Sequence, residues 1–189
     1  DKLAQLTGGK GEYAAMVGSL TSKSHNEWAD GGINRAKEKY PDMKLVTDKL
    51  ESYDDQQKAY EKTKELLKAY PNLKAIQGSS SNDAPGAARA IEELGLTGKV
   101  MIVGTSLVSV SGDYLKNGSL QMISFWDPKD AGIAMNKLAV MMLEGKKDQI
   151  KDGLNLGLKG YENMKLQGKV FYGQAWVDVT KENMGDYNF

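Results

Sequence analysis

Five apolar runs of strand length recur along the chain, and a polar loop and an amphipathic segment follow each of them. This alternation predicts parallel strands connected by helices, because a right-handed crossover through a helix is the usual link between parallel neighbours. The runs cover residues 12–18, 43–50, 73–77, 99–104 and 120–125. We therefore predict an α/β fold with an open parallel sheet flanked by helices.

The segments between these runs carry apolar residues three and four positions apart, which is typical of helices with one buried face. Residues that favour helix N-termini precede these segments, and proline or glycine follows them. The predicted starts are Ser24 or Asn26, Asp54 or Asp55, Asn82 or Asp83, and Pro128. The helix from Pro128 extends to Gly145, and beyond it the alternation stops. Residues 168–179 are expected to be extended.

Composition and charge exclude several kinds of function. The 25 lysine and arginine residues balance the 25 aspartate and glutamate residues without a basic block, so no nucleic-acid partner is expected. No apolar run of about 18 residues is present, so no membrane-spanning helix is expected. The chain has no cysteine, which excludes disulfides and thiolate metal sites, and it has a single histidine, His25. We expect neither a metal site nor a cofactor.

The residues with the most chemical potential come directly after the first, third and fifth runs. Ligands of open α/β sheets bind outside the carboxyl ends of the strands, so these residues are expected to share one rim of the sheet. Their polar and aromatic groups suit the binding of a sugar or another polyol, and the small residues among them let a ligand approach. The candidate ligand contacts are Ser24, His25, Asn26, Asn82, Asp83, Pro85, Ala87, Trp126 and Asp127.

These candidates also have purely structural interpretations. The serine and asparagine after the first run could cap a helix, and His25 could be an ordinary loop histidine. A cap followed by proline in the first helical turn explains Asp83 and Pro85, although three preceding serines exceed what a cap requires. Trp126 could be a buried residue and Asp127 a helix N-cap. The sequence leaves both interpretations open.

Four stretches of the chain carry a resemblance to a known family. They are the loop at 17–28, the helix start at 82–90, the run at 104–127, and the closing segment at 160–189, which ends in Asn183-Met184-Gly185-Asp186-Tyr187-Asn188-Phe189. Together they resemble the type I periplasmic sugar-binding proteins of ABC importers, and most closely the branch that binds rhamnose and autoinducer-2. The closing run is the most specific of the four, and the resemblance covers nearly the whole chain.

The resemblance implies two α/β lobes that close on one small ligand and deliver it to a membrane permease. Such proteins are much longer than this chain, which is expected to be the second lobe, with the first lobe missing. The implied division is a ligand-binding lobe at 1–127, a hinge crossing at 128–160 with a helix that packs on the missing lobe, and a C-terminal hinge and tail at 161–189. The opening residues read as the end of a helix, as expected of a fragment or a processed product.

The resemblance also bears on the ligand. The autoinducer-2 binders carry an aspartate and a glutamine where this chain has Ser24 and His25, so a pentose, a deoxyhexose or another small polyol is at least as good a candidate ligand. Pro85 and Ala87 match proline and alanine contacts of those proteins. Asp127 matches a position from which the wider family contacts ligand at the hinge.

We therefore expect a solute-binding protein without catalytic activity on the periplasmic or extracellular face of a membrane, with lipid anchoring left open. Its expected partners are a small sugar or polyol, an ABC permease, and either the missing N-terminal lobe or a second copy of the chain. The main alternative is the effector-binding domain of a sugar-responsive transcription regulator, against which the closing residues argue. The weakest alternative is an enzyme that uses His25 with Asp83 or Asp127 as acid and base.

Overall fold

Strands form at all five apolar runs of the sequence and helices connect them, so the predicted α/β fold is confirmed. The computed structural model describes residues 1–189. Its helices are α1 (Lys2–Thr7), α2 (Lys23–Lys39), α3 (Gln56–Ala69), α4 (Asp83–Glu93), α5 (Val108–Asn117) and α6 (Pro128–Leu143). Its strands are β1 (Gly11–Val17), β2 (Met43–Leu45), β3 (Leu50–Glu51), β4 (Leu73–Gly78), β5 (Met101–Thr105), β6 (Met122–Phe125), β7 (Lys165–Gln167), β8 (Val170–Tyr172) and β9 (Val177–Val179). No helix combines the length and the apolarity that crossing a membrane requires.

The main sheet has the strand order β2-β1-β4-β5-β6-β9, and β3 also pairs with β1. Strands β1 to β6 pair in parallel wherever they are neighbours. Five consecutive residues of β1 are buried, as expected when both faces of a parallel sheet are covered. Because the strands run in parallel, the carboxyl ends of β1, β3, β4 and β5 lie along one edge, which is called the carboxyl edge below.

The second apolar run does not form one strand. It divides into β2, which pairs with the start of β1, and β3, which pairs with Met16 and Val17 at the end of β1. Between them the polar residues Thr47 and Asp48 form a bend. The prediction of a continuous strand over residues 43–50 is therefore wrong in its middle.

Two glycines allow α4 to begin directly against the strands at the carboxyl edge. A Cβ atom on Gly78 would lie 2.7 Å from the Cβ of Asp83. A Cβ atom on Gly104 would lie 2.7 Å from the carbonyl oxygen of Gly78 and 3.0 Å from the Cβ of Ala84. Any larger residue at these positions would push α4 away, so the two glycines determine where the first turn of α4 lies.

Two compact units can be distinguished in the chain. The first contains Asp1–Ser124 and Asp178–Phe189, and the second contains Phe125–Val177. The second unit includes α6 and the antiparallel pair β7–β8, and it has its own small core. The buried residues of this core are Ala134, Leu156 and Met164. The division into 1–127, 128–160 and 161–189 stays a prediction.

Candidate functional site

A buried carboxyl group lies at the start of α4, directly after β4. Asp83 is 0% exposed and accepts hydrogen bonds from Ser52 Oγ at 2.5 Å, from Ser80 N at 2.8 Å and from Ser79 N at 3.0 Å. Burial raises the pKa of this carboxyl group, although the hydrogen bonds from the three serines act in the opposite direction. Asp83 therefore links the end of β3 to the end of β4.

The residues that follow β3 form a turn with an unusual backbone. The φ angles of Tyr53 and Asp54 are 58° and 54°, and Asp55 N donates a hydrogen bond to Ser52 O at 3.1 Å. Two successive positive φ angles are characteristic of a type I′ turn, which favours glycine and asparagine. For other residues such a conformation costs on the order of 1–3 kcal/mol each, so the surrounding contacts must maintain it.

Asp54 attaches this turn to two neighbouring loops. Its backbone N–H donates to Gly18 O at 3.1 Å, and its carbonyl oxygen accepts from Asn82 Nδ2 at 2.7 Å. Its carboxylate accepts a hydrogen bond from Ser80 Oγ. A Cβ atom on Gly18 would overlap the Asp54 carboxylate and lie 2.9 Å from His25 Cε1. The loops after β1, β3 and β4 thus meet at the carboxyl edge, and the missing side chain at position 18 makes room for Asp54 and His25.

Two buried polar atoms of the first unit have no hydrogen-bond partner in the protein. They are His25 Nδ1 in the first turn of α2 and Ser79 Oγ at the end of β4. The His25 ring lies 5.8 Å from the Trp28 ring, at an interplanar angle of 40°. Buried polar groups normally have a partner, so these two atoms are exceptions, and they lie in the segments that follow β1 and β4.

The predicted cap residues of α2 have other roles. The helix begins at Lys23, with Ser22 at the N-cap position and no side-chain cap, so the prediction of a cap at Ser24 or Asn26 is wrong. Asn26 Nδ2 instead donates to the carbonyl oxygens of residues 19, 20 and 22, at distances of 3.1, 3.2 and 2.7 Å. These bonds hold the loop that precedes the helix. Ser24 is exposed on the first turn of α2.

Asn82 occupies the N-cap position of α4, but its side chain bonds to the β3–α3 turn rather than capping the helix. Pro85 and Ala87 lie near the start of α4, which packs on α3, and both are fully buried. The two helices approach so closely that a Cβ atom on Gly86 would lie 2.6 Å from the Cβ of Ala59. Packing accounts for Pro85 and Ala87, and a ligand contact through either of them stays a prediction.

Trp126 and Asp127 belong to the second unit. Asp127 is the N-cap of α6, where one carboxylate oxygen accepts a hydrogen bond from Lys129 N at 2.8 Å, in agreement with the structural interpretation. Trp126 is 38% exposed, which rules out the alternative of a fully buried residue. Its ring packs edge to face against Trp176, with centroids 5.3 Å apart and an interplanar angle of 88°. Trp176 was not among the candidate residues predicted from the sequence.

Tyr53 was not predicted from the sequence, and Asp54 was predicted only as a possible helix start. Both follow the second apolar run, so the rule that placed the other candidates at strand ends applied to them as well. The actual cap of α3 is Asp55, whose side chain accepts a hydrogen bond from Lys58 N at 2.7 Å.

A sequence model of the periplasmic binding protein domain matches residues 1–147. The chain belongs to this family. One relative of this chain is the D-allose-binding periplasmic protein of Escherichia coli (strain K12). The two sequences are 29% identical over 133 residues. The match covers 70% of this chain and 42% of that protein, so the chain spans less than half the length of this curated relative. The resemblance inferred from the sequence is confirmed at the level of the family.

Solved structures of sugar transport proteins share this periplasmic binding protein fold. A sugar ABC transporter from Actinomyces odontolyticus ATCC 17982 superposes with a TM-score of 0.84 at 21% identity, over 100% of this chain and 61% of that chain. An ABC transporter solute-binding protein from Clostridium phytofermentas with bound L-rhamnose gives a TM-score of 0.83 at 22% identity, over 99% and 62% of the two chains. At these identities the likeness establishes the common fold.

Proposed function

We propose that the full-length protein containing this chain is the solute-binding component of an ABC importer, which captures a small sugar or sugar-like molecule and delivers it to a membrane permease. The observation that carries this proposal is the meeting of three polar loops at the carboxyl edge of a periplasmic binding protein domain. The named function of the Escherichia coli relative, D-allose binding, supports it over the regulator alternative.

Within the first unit, we propose that Ser24, His25 and Asn82 contact the ligand. The unpartnered His25 Nδ1 can exchange a hydrogen bond with a sugar hydroxyl, and Asn82 retains its amide oxygen as an acceptor. Asn26 and Asp83 are already bonded within the protein, so their role in the proposal is to hold the loops that carry the contacts. A sugar that leaves the buried histidine nitrogen unpaired would bind more weakly, which is a basis for selectivity.

For the second unit, we propose that the exposed indole of Trp126 stacks on a sugar face and that Asp127 accepts hydroxyl donors through the oxygen not used for capping. Trp126 is already partly exposed, as this role requires. The carboxylate keeps its position through the cap bond, so it would present a fixed acceptor.

Exposed apolar residues on α6 support the proposal that another part of the full-length protein covers this helix. Met135, Val140, Met142 and Leu143 are all at least 50% exposed. A groove of about 580 Å³ runs along the helix beside Leu156. Apolar surface of this kind marks an interaction site. We propose that an N-terminal lobe covers it, with a second copy of the chain as the alternative.

Two further parts of the proposal rest on relatives. We place the protein in an extracytoplasmic compartment, since its Escherichia coli relative is named as periplasmic. We also favour the rhamnose- and autoinducer-2-binding branch, because the closing residues 183–189 resemble those of that branch.

A thermal-shift screen of the full-length protein tests the proposed function. The panel contains D-allose, L-rhamnose, D-arabinose and autoinducer-2. A separate sample with sorbitol at the same concentration controls for unspecific polyol effects. A ligand at about one hundred times its dissociation constant stabilises a protein by about 2.7 kcal/mol, which gives a clear shift. We expect at least one panel compound to shift the unfolding midpoint and to be recovered unchanged. A midpoint that no panel compound moves, or a sugar that is converted, would contradict the proposal.

A further inference from the structure

A groove lies at the edge of the sheet where β1, β4 and β5 begin, which is called the amino edge below. It encloses about 450 Å³, and its lining includes Leu6, Lys10, Gly11, Lys74, Lys99 and Met101. Because parallel strands place their two ends at opposite edges, the groove is one strand length, on the order of 15–20 Å, from the carboxyl edge. The proposed sugar site therefore does not account for it.

Three lysine side chains line this groove, and none of them takes part in a salt bridge. They are Lys10 before β1, Lys74 in β4 and Lys99 before β5, and all three are exposed. The chain as a whole has as many acidic as basic residues, so a general excess of lysine is not the cause. Like charges around one groove repel each other, and a bound anion would relieve this repulsion.

The backbone and a missing side chain place Lys74 at the groove. The pairing of β1 with β4 shifts by one residue between Glu12 and Tyr13, so Lys74 has no opposite residue in β1. Such a bulge is rare between parallel strands, and bulges often redirect a side chain next to a functional site. A Cβ atom on Gly11 would lie 2.9 Å from Lys74 Cγ, so the lysine stem fills the space of a side chain at position 11.

The floor of the groove is apolar and preformed. Leu6 of α1 and Met101 of β5 are partly buried and pack against the hydrophobic core of the first unit. The loop that carries Lys99 is held by a hydrogen bond from its backbone N–H to Leu96 O at 2.9 Å. Concave sites with an apolar lining, a few polar groups and volumes of about 300–1,000 Å³ are typical of small-molecule binding.

We propose that the amino-edge groove binds a small organic anion, whose carboxylate or phosphate group lies among the three lysines and whose short apolar body lies on Leu6 and Met101. This site is additional to the proposed sugar site and does not depend on it. A free anion fits the groove better than a membrane surface does. A flat bilayer would meet the exposed lysines but would not reach the partly buried floor between them.

Calorimetric titration of the full-length protein with octanoate tests the proposal. Octanoate supplies both a charge and an apolar chain, whereas acetate supplies the charge alone and octylammonium has the chain with the opposite charge. We expect saturable binding of octanoate, and binding of acetate and of octylammonium that is weaker by at least about tenfold. Octanoate binding should also weaken as the ionic strength rises from about 0.05 M to about 0.3 M, because salt screens exposed charges.

A triple variant with Lys10→Gln, Lys74→Gln and Lys99→Gln locates the binding site. We expect it to bind octanoate at least about tenfold more weakly than the wild type, while its unfolding midpoint and its sugar binding stay as in the wild type. The matched control loses the same charge in the second unit, through lysine-to-glutamine substitutions at the exposed residues Lys151, Lys159 and Lys169. The control should bind octanoate as the wild type does.

Three outcomes would overturn the inference. A wild-type protein that does not bind octanoate would refute the anion site and leave the proposed sugar-binding function untouched. Equal octanoate affinity in the wild type and the triple variant at positions 10, 74 and 99 would place the binding elsewhere. If the three lysines are needed for binding to phosphatidylglycerol vesicles but octanoate does not bind, they serve a lipid surface instead.

Discussion

Replacement of Asp83 by alanine tests whether the buried carboxyl group holds the carboxyl edge together. The substitution removes the acceptor of three hydrogen bonds, which come from Ser52 Oγ and from the backbone N–H groups of Ser79 and Ser80. These three serines are at most 1% exposed, so solvent does not reach the donors without local opening. Each buried donor left without a partner costs about 1–3 kcal/mol.

Only Ser80 N is left without any acceptor, because Ser52 Oγ also donates to Val17 O at 3.3 Å and Ser79 N also donates to Met16 O at 3.0 Å. The unpaired Ser80 N together with the two weakened donors, at about 0.5–1 kcal/mol each, gives a loss of about 3 kcal/mol in the free energy of unfolding. Part of this loss is offset, because the variant no longer buries a carboxyl group whose pKa is raised by desolvation. We therefore expect Asp83→Ala to lower the free energy of unfolding by about 2–3 kcal/mol, a large share of the 5–15 kcal/mol typical of folded proteins.

Urea denaturation of the full-length protein at pH 7, followed by circular dichroism, measures this loss. The matched control is Asp55→Ala, which removes a carboxylate that accepts one hydrogen bond, from Lys58 N, at the exposed start of α3. Loss of such a cap costs about 1 kcal/mol. If Asp83→Ala destabilises the protein no more than the control does, the assigned role of Asp83 is wrong.

Three further predictions follow from particular contacts. Burial raises the folded-state pKa of Asp83, so its stabilising contribution is complete below the unfolded pKa of about 3.9 and is lost as pH rises through the folded pKa. The difference in unfolding free energy between wild type and Asp83→Asn should therefore fall over that window in urea titrations, and a difference that grows with pH would contradict the shift. Gly104→Ala should lower the free energy of unfolding by about 1–3 kcal/mol in the same assay, because its Cβ would lie 2.7 Å from Gly78 O. The control Gly132→Ala should cause no such loss, because a Cβ at position 132 meets nothing within 4 Å. Leu143 is 88% exposed in this chain, and Leu143→Lys should destabilise the full-length protein by about 1–2 kcal/mol if an N-terminal lobe covers α6. A change below about 0.5 kcal/mol would count against an N-terminal lobe on α6.

The sequence predicted the fold well because strand and helix periodicities alternate clearly through residue 145. It failed at residues 43–50, where one apolar run serves two short strands that pair with different parts of β1. The sequence signals this break only by two polar residues, Thr47 and Asp48, at which the chain bends. That signal is too weak to divide a strand without knowledge of the neighbouring strand.

The candidate site was predictable in its location but not in its detailed contacts. Strand ends indicated the loops of His25 and Asn82, because topology alone brings such ends together. Which side chains face inward depends on packing, so the burial of Asp83 could not be predicted. Tyr53 was missed because a type I′ turn is usually signalled by Asn-Gly, whereas here a network of hydrogen bonds maintains the turn without that signal.

The measurement that tests the central claim most directly is a calorimetric titration of the full-length protein and its His25→Ala variant with D-allose and L-rhamnose. The account predicts saturable binding of at least one sugar with one site per protein. It predicts about tenfold weaker binding in His25→Ala at an unchanged unfolding midpoint, since one hydrogen bond to the ligand is lost. No binding of either sugar, or equal binding by wild type and variant, would contradict a sugar site at the carboxyl edge.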